Sequence, residues 1–440
     1  MKTSVQRLPI LSWWLGIGPL LVLLAGQGRA LAVEGRAIAS LAAQTVTTHE
    51  LQEHVTVLAA DAMEGRRAGS RGGYAAGNYL ANRMHSYGLQ PAGDDGTFIQ
   101  LFQNGYRNIL GWIPGADEHL KQELIVIGAH YDHVGYGSRA TSLGPIGYVH
   151  NGADDNASGV AAILELIHAA TQLQWRPRRS VLFAFWDAEE QGLLGSQYWL
   201  SRPTLPGHRV VACLNLDMVG RLRHHLEVYG SRTFFGARRL ATSANEQSGL
   251  ELQFPWELKA NSDHYPFIAR RIPTLMFHTG LHEDYHRPSD DLDKLNFEGL
   301  RRVAILAFGV VSQWADSPSR PEFREAVFGE DESTRESLEM PPAEPPGPLR
   351  VGISWRRDPA DSASLFLTYV ERHSPAWQAG LRRGDRIYGV DGLVFESDEQ
   401  LQEHLRQVPG KSVMLVERRG ILRSVEVALP EAGLTAGQGP

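Results

Sequence analysis

Between residues 51 and 314 the chain alternates two kinds of apolar pattern. Leu51, Val55 and Leu58 recur at helical spacing behind Thr47-Thr48-His49-Glu50, which has the form of a capping box, so a helix is predicted to start there. Residues 74–87 read as a second helix with Gly88 at its C-terminal end. The glycine-rich stretch 65–73 lacks the Gly-Lys-Ser/Thr of a phosphate loop and predicts a plain loop. Further on, short unalternated apolar runs at 124–127, 181–185, 210–216 and 273–277 are interleaved with helical patterns at 157–173 and 195–200, and a last helix is predicted over 296–314. Runs of that kind are strands buried on both faces, which predicts an α/β domain with a mainly parallel sheet.

The pattern stops at residue 317. Residues 317–348 turn to Pro, Glu, Ser and Arg, with Pro341-Pro342 and Pro345-Pro346, and read as an extended linker. A second, smaller unit is predicted over 349–430, followed by a tail, 431–440. At 440 residues the chain is long enough for this two-domain plan. Ahead of it, Lys2 and Arg7 precede an apolar stretch and Ala30-Leu31-Ala32, the form of a signal peptide cleaved after residue 32. The mature chain would start at residue 33, with its first domain over 33–316, and be periplasmic or secreted. An uncleaved segment would instead anchor it in the membrane. A net charge of -7 gives no basis for nucleic-acid binding, and the single cysteine, Cys213, lies in an apolar run as a small buried hydrophobe.

Chemistry gathers at the ends of the predicted strands. The first runs into His130-Tyr131-Asp132, the second into Asp187-Ala188-Glu189-Glu190, the third into Asp217, and the fourth leads through His278 to His286. Open α/β sheets bind ligands at the carboxyl ends of their strands, so these acids and histidines converge. Asp154 and Asp155 open the helix predicted from residue 157, where a cap needs only one such residue. His130, Asp154, Glu190, Asp217 and His286 form a nitrogen and oxygen set suited to zinc or another divalent metal. Two histidines and three carboxylates exceed what one catalytic zinc takes, and two ions bridged by a carboxylate fit better.

The motifs around residues 128–133, 152–159, 187–192, 216–218, 262–264 and 284–286 resemble, in order, those of the M-twenty-eight family of co-catalytic zinc peptidases, over about residues 51–314. The resemblance implies a three-layer α/β/α domain with a mainly parallel mixed sheet, Asp154 bridging two zinc ions, Glu190 and His286 completing one site, and His130 and Asp217 the other. It also implies a cis peptide between Asp154 and Asp155. Glu189, beside a ligand, is the expected general base, since metal coordination lowers the pKa of water from about 15.7 to about 7 and a neighbouring carboxylate can move its proton. Asp132, two residues beyond His130 on the same side of an extended chain, is expected to orient that imidazole. Tyr285 is the oxyanion candidate, as in the carboxypeptidase branch, because Lys259-Ala260-Asn261 stands where the aminopeptidase branch has a tyrosine. His133 and the remaining histidines are expected to be ordinary.

The second unit resembles a bacterial-type PDZ domain, a small β-rich fold, through residues 351–353, 374–381, 384–387 and 390–392. Val351, Gly352 and Ile353 are its expected peptide-binding turn, with an adjacent strand edge open to β-augmentation by a peptide or protein C-terminus. The function expected is an exported exopeptidase taking free N-termini. A carboxypeptidase of the same fold, with Arg221 or Arg287 gripping the substrate carboxylate, and a glutaminyl cyclase-like acyltransferase are the alternatives.

Overall fold

The computed structural model describes residues 38–340 and 351–429. The signal segment 1–32, the proline-rich end of the expected linker, 341–348, and the tail 431–440 lie outside the described residues. Among the described residues no helix is long and apolar enough to cross a membrane.

Helix α1 (Thr48–Leu58) starts where the capping pattern sets it. Thr47 Oγ1 accepts from Glu50 N at 3.2 Å, and Leu51, Val55 and Leu58 are buried. The reciprocal half of the box differs, because Thr47 N donates to Glu165 Oε2 at 3.4 Å rather than to Glu50. Helix α2 (Arg71–Ser86) begins ahead of the expected residue 74, since Ser70 accepts from Gly73 N and caps it.

The remaining elements of the first domain are β1 (Gln90–Pro91), β2 (Ile99–Phe102), β3 (Tyr106–Ile113), β4 (Glu123–His130), α3 (Gly159–Gln172), β5 (Ser180–Trp186), α4 (Leu194–Ser201), β6 (Arg209–Leu216), β7 (Leu226–Tyr229), α5 (Ala237–Ala244), β8 (Leu252–Gln253), α6 (Tyr265–Ala269), β9 (Thr274–His278) and α7 (Phe297–Asp316). The strands form one sheet in the order β1-β3-β5-β4-β6-β9-β7-β8, with β2 paired to β3. Its centre, β5-β4-β6-β9, is parallel, and β3 and β7 flank it antiparallel. Ile125 and Ile127 of β4 join a core with α1, α3 and α7, whereas Leu124 and Val126 face Trp199 of α4 and Phe267 of α6. Helices thus cover both faces, which is why these strands carry no polar alternation. Cys213 is buried in the second of these cores.

The C-terminal unit is a separate antiparallel sheet, β10 (Ile353–Asp358), β11 (Asp361–Val370), β12 (Arg386–Val390), β13 (Lys411–Arg418) and β14 (Ile421–Ala428), in sequence order, with helices α9 (Pro375–Gln378) and α10 (Asp398–Gln407). Strand β10 lies at the sheet edge, as the sequence predicts. Helix α8 (Glu332–Glu339) precedes this unit and is capped by Asp331.

The expected linker is not free over its described part. Phe323 bridges to Phe234, Arg324 donates to the Arg232 carbonyl, and α8 contributes Glu339 to Arg386 at 3.1 Å. The two domains are docked through ion pairs. Arg232 lies between Glu330 and Asp358, Arg238 pairs with Glu417, and Arg239 pairs with Asp361. Backbone contacts join them too, with Gly236 N donating to Ala360 O and Leu252 N to Arg419 O, both at 2.8 Å. Arginines along α5 have an exposed helix face as their ordinary reading, so the partners waiting across the boundary are invisible in sequence.

Candidate active site

The parallel strands deliver their carboxyl ends to one edge. His130 closes β4, Asp187 to Glu190 follow β5, Asp217 follows β6 and His278 closes β9. Asp217 is tied to its neighbour strand by its N–H, which donates to Phe277 O at 3.2 Å.

Two groups of side chains face each other at that edge. One contains His130, Glu189 and Asp217; the other contains His133, Asp155, Glu190 and His286. Asp155 connects them, its Oδ1 3.3 Å from His130 Nε2 and its Oδ2 3.2 Å from His286 Nε2. Asp217 Oδ1 is 3.5 Å from His130 Nε2, and Glu190 Oε2 is 3.2 Å from His286 Nε2. The sequence-based set therefore converges with one replacement: the carboxylate between the two groups is Asp155, not Asp154.

The reason is the local backbone. Asp154 turns its carboxylate away, where Oδ1 accepts from Gly220 N at 2.6 Å and Oδ2 lies 3.2 Å from His282 Nε2. Its N–H and that of Asp155 both donate to Asp290 Oδ2 at 3.0 Å. Asp154 thus braces the turn after β6 while Asp155 points into the site. The cis peptide likewise lies one residue later than expected, between Asp155 and Asn156.

The histidine tautomers bear on metal binding. His130 Nδ1 donates to the Asp132 backbone carbonyl at 3.1 Å, and His286 Nδ1 donates to Thr141 O at 2.8 Å. Each ring then offers an Nε2 lone pair to carboxylate oxygens, and the buried His130 Nε2 has no hydrogen-bond partner among the described residues. Lone pairs facing anions at these distances need positive charge between them, from protons or from metal. Burial opposes charging His130, yet Glu189, Asp155 and Asp217 push it well above its ordinary value; against the same opposition Asp155 and Glu190 push His286 up to about 10. Imidazole and carboxylate donors in this arrangement fit zinc.

Asp132 meets His130 Nδ1 through its backbone carbonyl, not through the side chain expected to orient the ring. Its carboxylate is 3.8 Å from His130 Nδ1 and instead accepts the Glu189 N–H at 3.0 Å, which correlates the base candidate with the first histidine. Glu189 Oε2 lies 4.0 Å from His130 Nε2. Its burial, with Glu190, Asp263 and Asp217 nearby and His130 opposing, pushes the carboxyl well above the ordinary range. Tyr285 stacks on His286 with ring centroids 3.9 Å apart. Burial and the carboxylates of Asp155, Glu190, Asp217 and Glu189 raise its phenol.

Sequence reasoning missed two residues here. His133 Nδ1 is 2.9 Å from Glu190 Oε1, and its ring lies edge-on to His286 at 5.5 Å between centroids. Its position three residues beyond His130, in the loop that follows β4, was the available signal. Arg66, from the stretch read as a plain loop, is buried and donates to the carbonyls of Leu58, Tyr131, Asn151 and Gly152 at 2.6 to 2.9 Å. It ties the loop that follows β4 to the segment leading into Asp155. Beside it, Gly65 has φ +64°, and a Cβ there would meet the Gly135 and His150 carbonyls at 2.5 Å. A cavity of about 230 Å³, lined by Arg67, His133, Tyr136 and Glu190 among others, opens beside the second group.

In the smaller domain Val351 and Ile353 are buried core residues, and Gly352 has φ +76° with Ser374 packed where a Cβ would stand. The carbonyls of Val351 and Gly352 accept from Ala376 N and Glu371 N, which fixes the turn at the start of β10.

Residues 108–311 match Peptidase family M28, and residues 366–419 match a PDZ domain. The chain is 28% identical over 282 residues to leupeptin-inactivating enzyme 1 of Streptomyces exfoliatus, covering 58% of this chain and 59% of that protein. It is 27% identical over 253 residues to leucine aminopeptidase 1 of Arthroderma otae, covering 53% and 63%. The chain thus spans less than two thirds of these relatives' length. Among solved structures the fold is similar to the LapA aminopeptidase of Legionella pneumophila, with a TM-score of 0.53 and 22% identity over 63% of this chain and 74% of that one.

Proposed function

With residues 108–311 a peptidase family M28 domain, we propose that this protein is an exported, zinc-dependent aminopeptidase whose PDZ domain holds peptide or protein C-termini. The observation that carries the reading is the shared carboxylate of Asp155, within 3.3 Å of two imidazoles that have each committed Nδ1 to a backbone carbonyl. His130 and Asp217 would hold one zinc, Glu190 and His286 a second, and Asp155 both. Zinc bound there supplies Lewis acidity and makes water a nucleophile near neutral pH.

The protein's own residues do the rest. Glu189, anchored through its N–H to Asp132, accepts the proton of the attacking water and returns it to the leaving amine. Tyr285, stacked on His286, is the donor candidate for the oxyanion. His133 holds Glu190 in place from the far side.

Arg221 weighs against the carboxypeptidase alternative. Its Nη1 is bound by Asp284 at 2.6 Å and its Nη2 by Asp290 at 2.7 Å, so the fork that would grip a substrate carboxylate is engaged. A cyclase-like acyltransferase works with one zinc, whereas residues for two are assembled here. The apolar segment ahead of Ala30-Leu31-Ala32 supports export, with membrane anchoring as the outcome if it is not removed.

Digestion of matched free, N-acetylated and C-amidated peptides, followed by mass spectrometry, tests the proposal. Stepwise loss of N-terminal residues from free and amidated peptides, with acetylated ones intact, is expected. Loss from the C-terminus, or cyclisation of N-terminal glutamine without hydrolysis, would overturn it.

A further inference from the structure

Helix α3 leaves the Asp155 loop at Gly159 and carries Glu165 and His168 one turn apart, on the side that meets the first turn of α1. From these residues and Glu50 of α1 we infer a third cation site, for a divalent transition ion of the zinc class, that clamps α1 to α3 outside the active cleft.

One donor atom from each of Glu50, Glu165 and His168 lies within 4.8 Å of the other two. Donors sharing one ion at about 2.1 Å sit about 3.4 Å apart in a tetrahedron, so small side-chain rotations close the set. Glu165 is 1% exposed, while the side chains of Glu50 and His168 are 31% and 20% exposed. The site therefore has a dry floor and an open mouth through which water completes the coordination.

The buried carboxylate is what asks for an ion. Glu165 Oε2 accepts the Thr47 N–H, but Oε1 has no hydrogen-bond partner among the described residues. The nearest candidate, His54 Nε2, is 3.6 Å away, and that ring is already held by Tyr79 OH at 2.7 Å from Nδ1 and Tyr87 OH at 3.2 Å from Nε2. A buried carboxylate oxygen left unsatisfied is destabilising, and a second carboxylate, Glu50, adds repulsion.

The imidazole is held for the task. Tyr87 stacks on His168 at 4.8 Å between centroids and 16° between planes. His168 Nδ1 faces Glu50 Oε1 at 3.3 Å, and Nε2 lies 2.7 Å from the Gln172 amide. A half-turn of that amide makes its oxygen the acceptor of an Nε2 proton and leaves the Nδ1 lone pair facing the carboxylates. One nitrogen and two carboxylates select zinc-class ions, whereas calcium takes six to eight oxygens.

The test is anomalous diffraction at the zinc edge on crystals of the full chain equilibrated with zinc, together with metal content per chain. A peak between Glu50, Glu165 and His168, separate from density at Asp155, is expected. Glu165→Gln, and His168→Gln as the milder change at a part-exposed position, should each lose that peak and one equivalent of zinc while keeping the density at Asp155. Zinc at Asp155 without zinc here would overturn the inference and would mean that Glu50 and Glu165 share a proton instead. The converse, zinc here and none at Asp155, would sink the two-zinc active site and leave this inference standing.

Discussion

Arg232 of the peptidase domain and Asp358 of the PDZ domain meet at 3.0 Å with each side chain 5% exposed. Asp358 also accepts from Arg386 at 2.9 Å, and Arg232 is forked onto Glu330 while lying over the Trp256 ring. Removing one member of such a network leaves the others charged, buried and unpaired. Asp358→Asn should therefore cost about 3–5 kcal/mol and split thermal unfolding into separate domain transitions. A single transition at the wild-type temperature would show that the docking contributes nothing. Truncation near Asp316, innocuous if residues 317–348 were a free linker, should destabilise the peptidase domain by stripping Arg232, Arg238 and Arg239 of their partners.

The same network sets an acid limit. Burial opposes ionisation of Asp358 and Glu417, but Arg386 and Arg232 outweigh it for the first and Arg238 for the second, so both carboxyls lie below their ordinary values. A depressed carboxylate adds stability above its unfolded pKa, ordinarily 3.8 for Asp358, and loses it as pH falls through the folded value. The stability advantage of wild type over Asp358→Asn should shrink below about pH 4 in urea titrations. An advantage that persists unchanged at pH 3 would contradict the assignment.

The neighbouring acids make a sharper pair. Asp155→Asn should lose most bound metal and nearly all activity, because its carboxylate is the one near both imidazoles. Asp154→Asn should retain metal and lower stability through the Gly220 and His282 contacts. Metal analysis beside thermal unfolding distinguishes them, and equal metal loss in both would refute the division of roles.

Glu189→Gln keeps the shape of the side chain and removes its proton acceptor. Turnover should fall by about 10²-fold or more with metal content unchanged. Near-wild-type turnover would move the general base elsewhere.

Removal of metal with a strong chelator should abolish hydrolysis, with zinc or cobalt restoring it. Full activity in protein shown by elemental analysis to be metal-free would exclude the zinc mechanism.

What could be read from sequence follows the physics of each signal. Strands β4, β5, β6 and β9 were legible because burial on both faces leaves unbroken apolar runs, and because their ends carry His130, Glu190 and Asp217. The choice between Asp154 and Asp155 was not legible. Either acid satisfies the pattern, and only the folded turn decides which carboxylate faces inward. Arg66 and Arg232 were hidden for a related reason. A buried arginine is recognised by the carbonyls or carboxylates around it, and those of Arg66 come from segments up to 89 residues away, those of Arg232 from up to 126.

The docking of the two domains has one more consequence. A PDZ domain on a loose tether would raise the local concentration of any captured chain, with a gain that decays smoothly as the linker lengthens. Here β10, its open edge, is held against the peptidase domain by Asp358 at its own C-terminal end. The separation between a captured C-terminus and the catalytic edge is then a fixed gauge. If the proposed function holds, chains too short to reach across would be trimmed as if the PDZ domain were absent, and longer ones would gain abruptly at one threshold length.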